Sequence, residues 1–317
     1  MSSPKVSVIV PNFNHRDHLR QRLDTVLNQT YRDFEVIILD DCSTDGSVRV
    51  IQDYRSHPLV SHVIVNSKNS GSPFAQWKRG TELARGEWIW FAESDDYASL
   101  EFLETMLNSV RQHNDVGLIY CDSVVVNDAD KLEGTFSELK NKRFATKRWS
   151  TDYSNTGLAE LEEYVLPAGT INNASAVLFS RRLLLETNPF DRPLRYIGDK
   201  YAFVKVLSRS NVYVCGKGTQ LLSRPIQHQA RRQIPFYFYE QFLVFDWALR
   251  NLPIADRKRF YSGFHSNTKN SLFRGWNRLK LRLYGRLLKQ NPALLVRSCL
   301  FNLGEAVRSR RSGLKHA

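Results

Sequence analysis

The chain has 317 residues, 42% hydrophobic and 24% charged, a composition that excludes bulk disorder. Its length suits one large α/β domain with a smaller appendage. The net charge of +13 points first to nucleic acid, but 15 Lys and Arg against only Asp256 and Glu305 lie from Asn251 onward, and the first 250 residues hold 30 of each sign. The charge therefore belongs to the C-terminal segment, as expected of a surface-binding element joined to a neutral domain. No nucleic-acid motif accompanies it, which disfavours nucleic acid as a partner. Cys42, Cys121, Cys215 and Cys299 are too scattered for a zinc site or a disulfide framework and fit a reducing compartment. No secretory leader and no run of roughly 18 apolar residues is evident, so a cytoplasmic location is expected.

In chain order, residues 6–10 read as a buried β-branched strand stopping at Pro11, and 18–27 as a helix with Leu19, Leu23, Val26 and Leu27 on one face. Strand 34–39 ends in Asp40-Asp41, and Ser43-Thr44-Asp45-Gly46 turns into helix 47–54. Strand 63–65, helix 74–84, strand 88–92, helix 102–113 and strand 116–121 follow. Residues 122–170 are polar and weakly periodic, an insertion or acceptor-side loop. Strand 174–179 and helix 196–207 then resume the alternation. Strands separated by helices of about ten residues imply a mostly parallel sheet sandwiched by helices. Ligands of such sheets bind beyond the carboxyl ends of the strands. That rule singles out Asn12 and Asn14, Asp40 and Asp41, and Glu93-Ser94-Asp95-Asp96.

Three carboxylates within four residues, with Glu93 and Asp95 on one side of an extended chain, suit an oxygen-binding cation such as Mn2+ or Mg2+. The same tetrapeptide also suits an acidic turn capping a helix. Asp40-Asp41 reads as a base- or ribose-binding pair or as turn caps, and Asp199 as a general base or a cap favoured by the helix dipole. His228 is a further candidate metal or phosphate ligand.

Several segments, in order, resemble the family 2 glycosyltransferases of the GT-A, Rossmann-like fold. They are VSVIVPNFNHRDHLRQRLDTVLNQTYRDFEVIILDDCSTDGS (6–47), GSPFAQWKRGTELARGEWIWFAESDD (71–96), INNASAVLFSR (171–181) and YIGDKYAFVKVL (196–207). The likeness spans roughly residues 4–230. It implies a GT-A domain over 1–234, with a nucleotide-binding half over about 4–121 and an acceptor half over about 122–234. It further implies Pro11, Asn12, Asn14, Asp40 or Asp41, Lys78 and Ser94 at the donor nucleotide, Asp95 with Glu93 at the metal, and Asp199 as catalytic base. The reaction implied is inverting transfer from a UDP-, GDP- or dTDP-linked sugar to a glycan or lipid-linked acceptor, in cell-surface polysaccharide biosynthesis. Two positions depart from the family pattern: Glu93 stands where aspartate is usual, and Gly198-Asp199 where an acidic pair is common. The competing readings are a sugar nucleotidyltransferase and a non-catalytic basic membrane- or nucleic-acid-binding protein on the same fold.

Residues 235–317 read as a helical, basic, amphipathic region. Leu272, Trp276, Leu279, Leu283 and Leu287 form one stripe and Arg274, Arg278, Arg282 and Arg286 another, with a helix end near Asn291-Pro292. Such a helix either lies on an anionic membrane, as a peripheral anchor at the inner face, or packs its apolar face on protein.

Overall fold

The computed structural model describes residues 3–111, 113, 115–126, 131–223, 234–272, 278–297 and 299–301. The elements run β1 (Val6–Asn12), α1 (Arg16–Leu27), β2 (Phe34–Asp40), α2 (Ser47–Tyr54), β3 (Val60–Val65), α3 (Pro73–Leu83), β4 (Trp88–Phe91), β5 (Tyr97–Ala98), α4 (Phe102–Ser109) and β6 (Val116–Val126). There follow β7 (Leu132–Thr135), α5 (Phe136–Phe144), β8 (Tyr153–Asn155), α6 (Gly157–Glu160), a π-turn Leu161–Val165, α7 (Leu166–Ala168), β9 (Val177–Ser180), α8 (Arg181–Thr187), α9 (Gly198–Leu207) and β10 (Asn211–Ser223). Last come α10 (Ile234–Asn251), α11 (Arg257–Leu272) and α12 (Arg278–Gln290).

The sheet order is β3-β2-β1-β4-β9-β6-β10-β5, with β7 on β6 and β8 on β10. Its four longest ladders (β1–β2, β2–β3, β1–β4 and β6–β10) are parallel, and the pairings of β9, β5, β7 and β8 are antiparallel. The expected mostly parallel α/β sheet is thus present, in mixed form. Every residue of β1 and β2 is buried, as strands covered on both faces require. At Gly80 a Cβ would sit 2.5 Å from Ile9 Cγ2, so this glycine lets α3 lie directly on β1.

Two expectations are corrected. The first strand does not stop at Pro11. It runs on to Asn12, paired with Asp40, because the side of Pro11 that lacks an N–H faces β4, which has already ended at Phe91. Residues 122–170 are not a loop: β6 extends into them and β7, α5 and β8 follow. There Trp149 is buried, its Nε1–H donating to the Tyr120 hydroxyl at 2.9 Å, with Lys140 Nζ over both rings.

The described residues divide into two compact units, one within 1–157 and 171–226, the other within 158–170 and 227–317. In the second unit Phe238, Phe242, Phe245, Phe260, Phe264 and Tyr284 form an aromatic core. Buried Asp246 there accepts hydrogen bonds from Arg250, Gln290 and Asn291, tying the end of α12 to α10. α12 ends at Gln290, beside the expected stop. Leu283, Tyr284 and Leu287 are buried in this core, whereas Arg282, Arg286 and Lys289 are exposed. Trp276 and Arg274 of the two stripes lie outside the described residues. Among the described residues no helix is long and apolar enough to cross a membrane.

Candidate active site

A cavity of about 410 Å³ opens beyond the carboxyl end of β4 and is lined by Glu93, Asp95, Asp96 and Asp199. Phe74, Trp77, Phe136, Tyr196 and Arg195 complete much of its wall. A larger cavity, about 920 Å³, lies at the strands' amino ends among Lys5, Glu87, Arg182 and Glu186, but those charges pair with each other. Chemistry and the carboxyl-end rule therefore select the smaller one.

The acidic turn is held from several sides. Backbone N–H of Glu93 donates to Ser175 Oγ at 3.0 Å, and Trp90 Nε1–H donates to the Ser175 carbonyl at 2.7 Å. Trp77, stacked on Phe91 with centroids 3.9 Å apart, donates its Nε1–H to Glu93 Oε1 at 2.7 Å. The extra methylene of Glu93 relative to aspartate extends its carboxyl toward that indole. Burial, with Asp95 nearby, pushes Glu93 up to about 8, so a cation entering at neutral pH displaces a proton there. Asp96 is buried and raised for the same reasons; it accepts from Asn173 Nδ2 at 3.1 Å. Ser94 is buried and bonded to His15 Nδ1 at 2.7 Å, which joins the turn to the loop after β1.

Arg22 of α1 is fully buried behind the same turn and donates from Nε to the Glu93 carbonyl at 2.7 Å. Burial lowers it to about 10, which leaves it protonated at neutral pH.

Asp40 and Asp41 are both buried and bonded within the chain. Asp40 accepts from Asn12 Nδ2 at 2.7 Å and from the Ser43 N–H and hydroxyl. Asn14, at φ 57°, donates its N–H to Ser43 Oγ and accepts from the Thr44 N–H. Asp41 accepts from Asn66, Ser70 and Gln76. The pair thus shapes the two loops flanking the strand end, Asp40 the 12–14 and 43–44 segments and Asp41 the 66–70 segment.

Asp199 stands in the first turn of α9, where the dipole favours negative charge, and Oδ1 accepts the Lys200 N–H at 2.7 Å. The two alternatives for it are compatible: it faces the cavity and bonds the first turn. A Cβ at Gly198 would lie 2.5 Å from the Phe74 ring, so no acidic partner fits before Asp199. Neighbouring Lys200 is buried, and burial lowers it from 10.5 to about 7. The folded chain then binds fewer protons than the unfolded chain between those values, so stability rises with pH across that window. Relative to Lys200→Met, the parent should gain up to a few kcal/mol in unfolding free energy between pH 7 and 10, by denaturant titration. Parallel curves for the two proteins would contradict this.

The fold brings Glu93, Asp95 and Asp199 to one cavity, sets Asn12 and Asp40 at the last positions of β1 and β2, and sets Asn14 and Ser94 in the loops that follow β1 and β4. Pro11 is buried in β1, and Lys78 is exposed on α3 and does not line the cavity. His228 lies outside the described residues. Trp77, Arg22, Arg195 and Asn173 were not anticipated. Among the described residues no three Asp, Glu, His or Cys side chains meet as a resident metal site requires. Glu93 and Asp95 on one wall do fit the other common arrangement, in which one or two carboxylates hold Mg2+ or Mn2+ and substrate phosphates and water complete the shell.

A family model described as glycosyl transferase family 2 matches residues 7–159. The poly(ribitol-phosphate) beta-N-acetylglucosaminyltransferase TarS of Staphylococcus aureus (strain Mu50) is 30% identical over 193 residues, 58% of this chain and 33% of that protein. The crystal structure of S. aureus TarS 1-349 in complex with UDP superposes with a TM-score of 0.62 at 18% identity, over 84% of this chain and 70% of that one. The mannosyltransferase PcManGT from Pyrobaculum calidifontis, solved in complex with GDP-Man and Mn2+, gives 0.55 at 17% identity, over 96% and 88%. The two solved structures show a common α/β fold with this chain, that of the GT-A type. The family 2 match thus covers 153 of the 317 residues, just under half of the chain. It spans less than half the length of the first curated relatives it matches.

Proposed function

We propose that the chain is an inverting glycosyltransferase that moves a sugar from a nucleotide diphosphate donor to a glycan or lipid-linked acceptor in cell-surface polysaccharide biosynthesis. The observation that carries this reading is the meeting of Asp95 and Asp199 in one cavity at the carboxyl ends of the strands. Transfer needs a base for the acceptor hydroxyl and charge neutralisation for the departing diphosphate. Asp199 is the base: its carboxylate takes the hydroxyl proton as the acceptor oxygen attacks the anomeric carbon from the face opposite the diphosphate. Asp95, with Glu93, holds Mn2+ or Mg2+, which when bound stabilises the negative charge gathering on the leaving oxygens. Asn12, Asn14, Asp40, Asp41 and Ser94 shape the loops that receive the nucleotide, and the UDP and GDP-Man complexes of the two solved relatives agree with such a donor. Arg195, a cation on the cavity wall, is better placed than Lys78 to meet a donor phosphate. Thermal shift with UDP, GDP and dTDP, each with and without Mn2+, tests the donor site. One nucleotide should raise the melting temperature in a Mn2+-dependent manner; no shift with any of them contradicts the reading.

The second unit is proposed to supply an electrostatic membrane contact. Leu283 and Leu287 are buried while Leu288 and Leu300 are exposed, and the exposed Arg282, Arg286, Lys289 and Arg297 face the lipid headgroups. Each basic residue near an anionic surface contributes about 1 kcal/mol. Arg282→Glu with Arg286→Glu should weaken co-sedimentation with phosphatidylserine vesicles about tenfold or more at low salt. Binding that is unaffected by reversal or by salt would exclude this contact.

A further inference from the structure

Arg22 places a charge on the apolar face of a helix. Its neighbours on that face of α1, Leu19, Leu23 and Val26, are buried, and Arg22 has no exposed surface. Besides the bond from Nε to the Glu93 carbonyl, the guanidinium carbon is 5.6 Å from the centre of the Trp90 ring, and Nη2 is 4.0 Å from Asp96 Oδ2. Neither Nη1 nor Nη2 has a hydrogen-bond partner. Burying a guanidinium with two unbonded nitrogens is unfavourable, and a methionine of similar length would pack there more easily. Its presence calls for a task that an apolar side chain cannot perform.

The acidic turn beside it provides that task. Glu93, Asp95 and Asp96 together carry up to three negative charges; with Arg22 the total falls to two, which one divalent cation balances. Asp95 and Asp96 differ in their surroundings, Asp95 being half-buried at the cavity and Asp96 buried beside Arg22 and Asn173.

We propose that Arg22 is the internal counter-ion of the acidic turn: it engages Asp96 and fixes the Glu93 carbonyl, so that the cavity takes one divalent cation through Asp95 and not through Asp96. Arg22 is a positioning residue, set behind the turn and not on the cavity wall. This rests on the reading above that Asp95 holds the cation.

The test is titration of the full chain with Mn2+ alone, without nucleotide, followed by the electron paramagnetic resonance signal of free Mn2+. Arg22→Met leaves Asp96 uncompensated, so it should bind Mn2+ about fivefold or more tightly than the parent and melt at lower temperature. The double variant Arg22→Met/Asp96→Asn removes both charges and should return to within about twofold of the parent in Mn2+ affinity and recover its melting temperature. Mn2+ binding by R22M no tighter than the parent overturns the proposal. So does loss of Mn2+ binding in the double variant, which would make Asp96 a ligand; that arm decides alone if R22M fails to fold. Failure of the underlying reading looks different: parent turnover would then survive chelation by EDTA and the change Asp95→Ala. Failure of the Arg22 proposal alone leaves turnover metal-dependent.

Discussion

Asp199→Asn should lower turnover of a nucleotide sugar by about three orders of magnitude while leaving the donor KM and the melting temperature close to those of the parent. Removing a positioned general base costs about 10²- to 10⁴-fold, and the upper half of that range applies because Gly198 leaves no second carboxylate beside it. The amide oxygen of asparagine can still accept the Lys200 N–H, so the first turn of α9 keeps its bond. On the proposed reading the donor is received by the loops that Asn12, Asp40 and Asp41 hold, which the substitution does not touch. Steady-state kinetics at saturating Mn2+ separates the two quantities. A variant that loses donor affinity but keeps kcat would make Asp199 a binding residue.

Asp95→Ala should abolish Mn2+ activation and reduce turnover by about a thousandfold or more, the scale on which a divalent cation stabilises a leaving diphosphate. The same change should remove the Mn2+-dependent part of the nucleotide thermal shift. Melting of the ligand-free chain should move little, because Asp95 is half-exposed at the cavity and the turn remains held by Ser175, Trp77 and Arg22. Undiminished Mn2+ activation in this variant would exclude Asp95 as the metal ligand.

The N-terminal half of the sheet was legible because β1, β2 and β4 are buried along their whole length and read as largely apolar runs closed by polar residues. Those strand ends are where Asp40, Asp41, Glu93 and Asp95 lie. The elements within 122–170 are hard to read from spacing because α5 has little apolar periodicity: Lys140 is its buried residue, its Nζ lying over the rings of Tyr120 and Trp149. Its capping box, Thr135 with Glu138, was a readable start signal that a search for apolar spacing passes over. Of the unanticipated site residues, two had local signals. Trp77 follows Phe74 by three positions on the inner face of α3, and Arg22 interrupts the Leu19, Leu23, Val26 stripe of α1. A charge inside an apolar helical face marks a buried ion, and here it points at the acidic turn. Arg195 and Asn173 carried no such signal, since they come from segments distant in sequence that only the folded sheet brings to the cavity. The basic helix α12 left two readings open, and burial of Leu283 and Leu287 removes apolar insertion of those leucines while keeping the arginines exposed.

On the proposed function this cavity consumes a nucleotide sugar. The most direct measurement incubates the chain with Mn2+ and UDP-, GDP- and dTDP-sugars and follows release of the nucleoside diphosphate, with water standing in for the acceptor hydroxyl. A parallel incubation with sugar phosphates and nucleoside triphosphates is assayed for pyrophosphate. Nucleoside diphosphate should appear from one donor class and be lost on Asp95→Ala and on Asp199→Asn, with no pyrophosphate formed. Pyrophosphate formation, or release that persists in both variants, would contradict it.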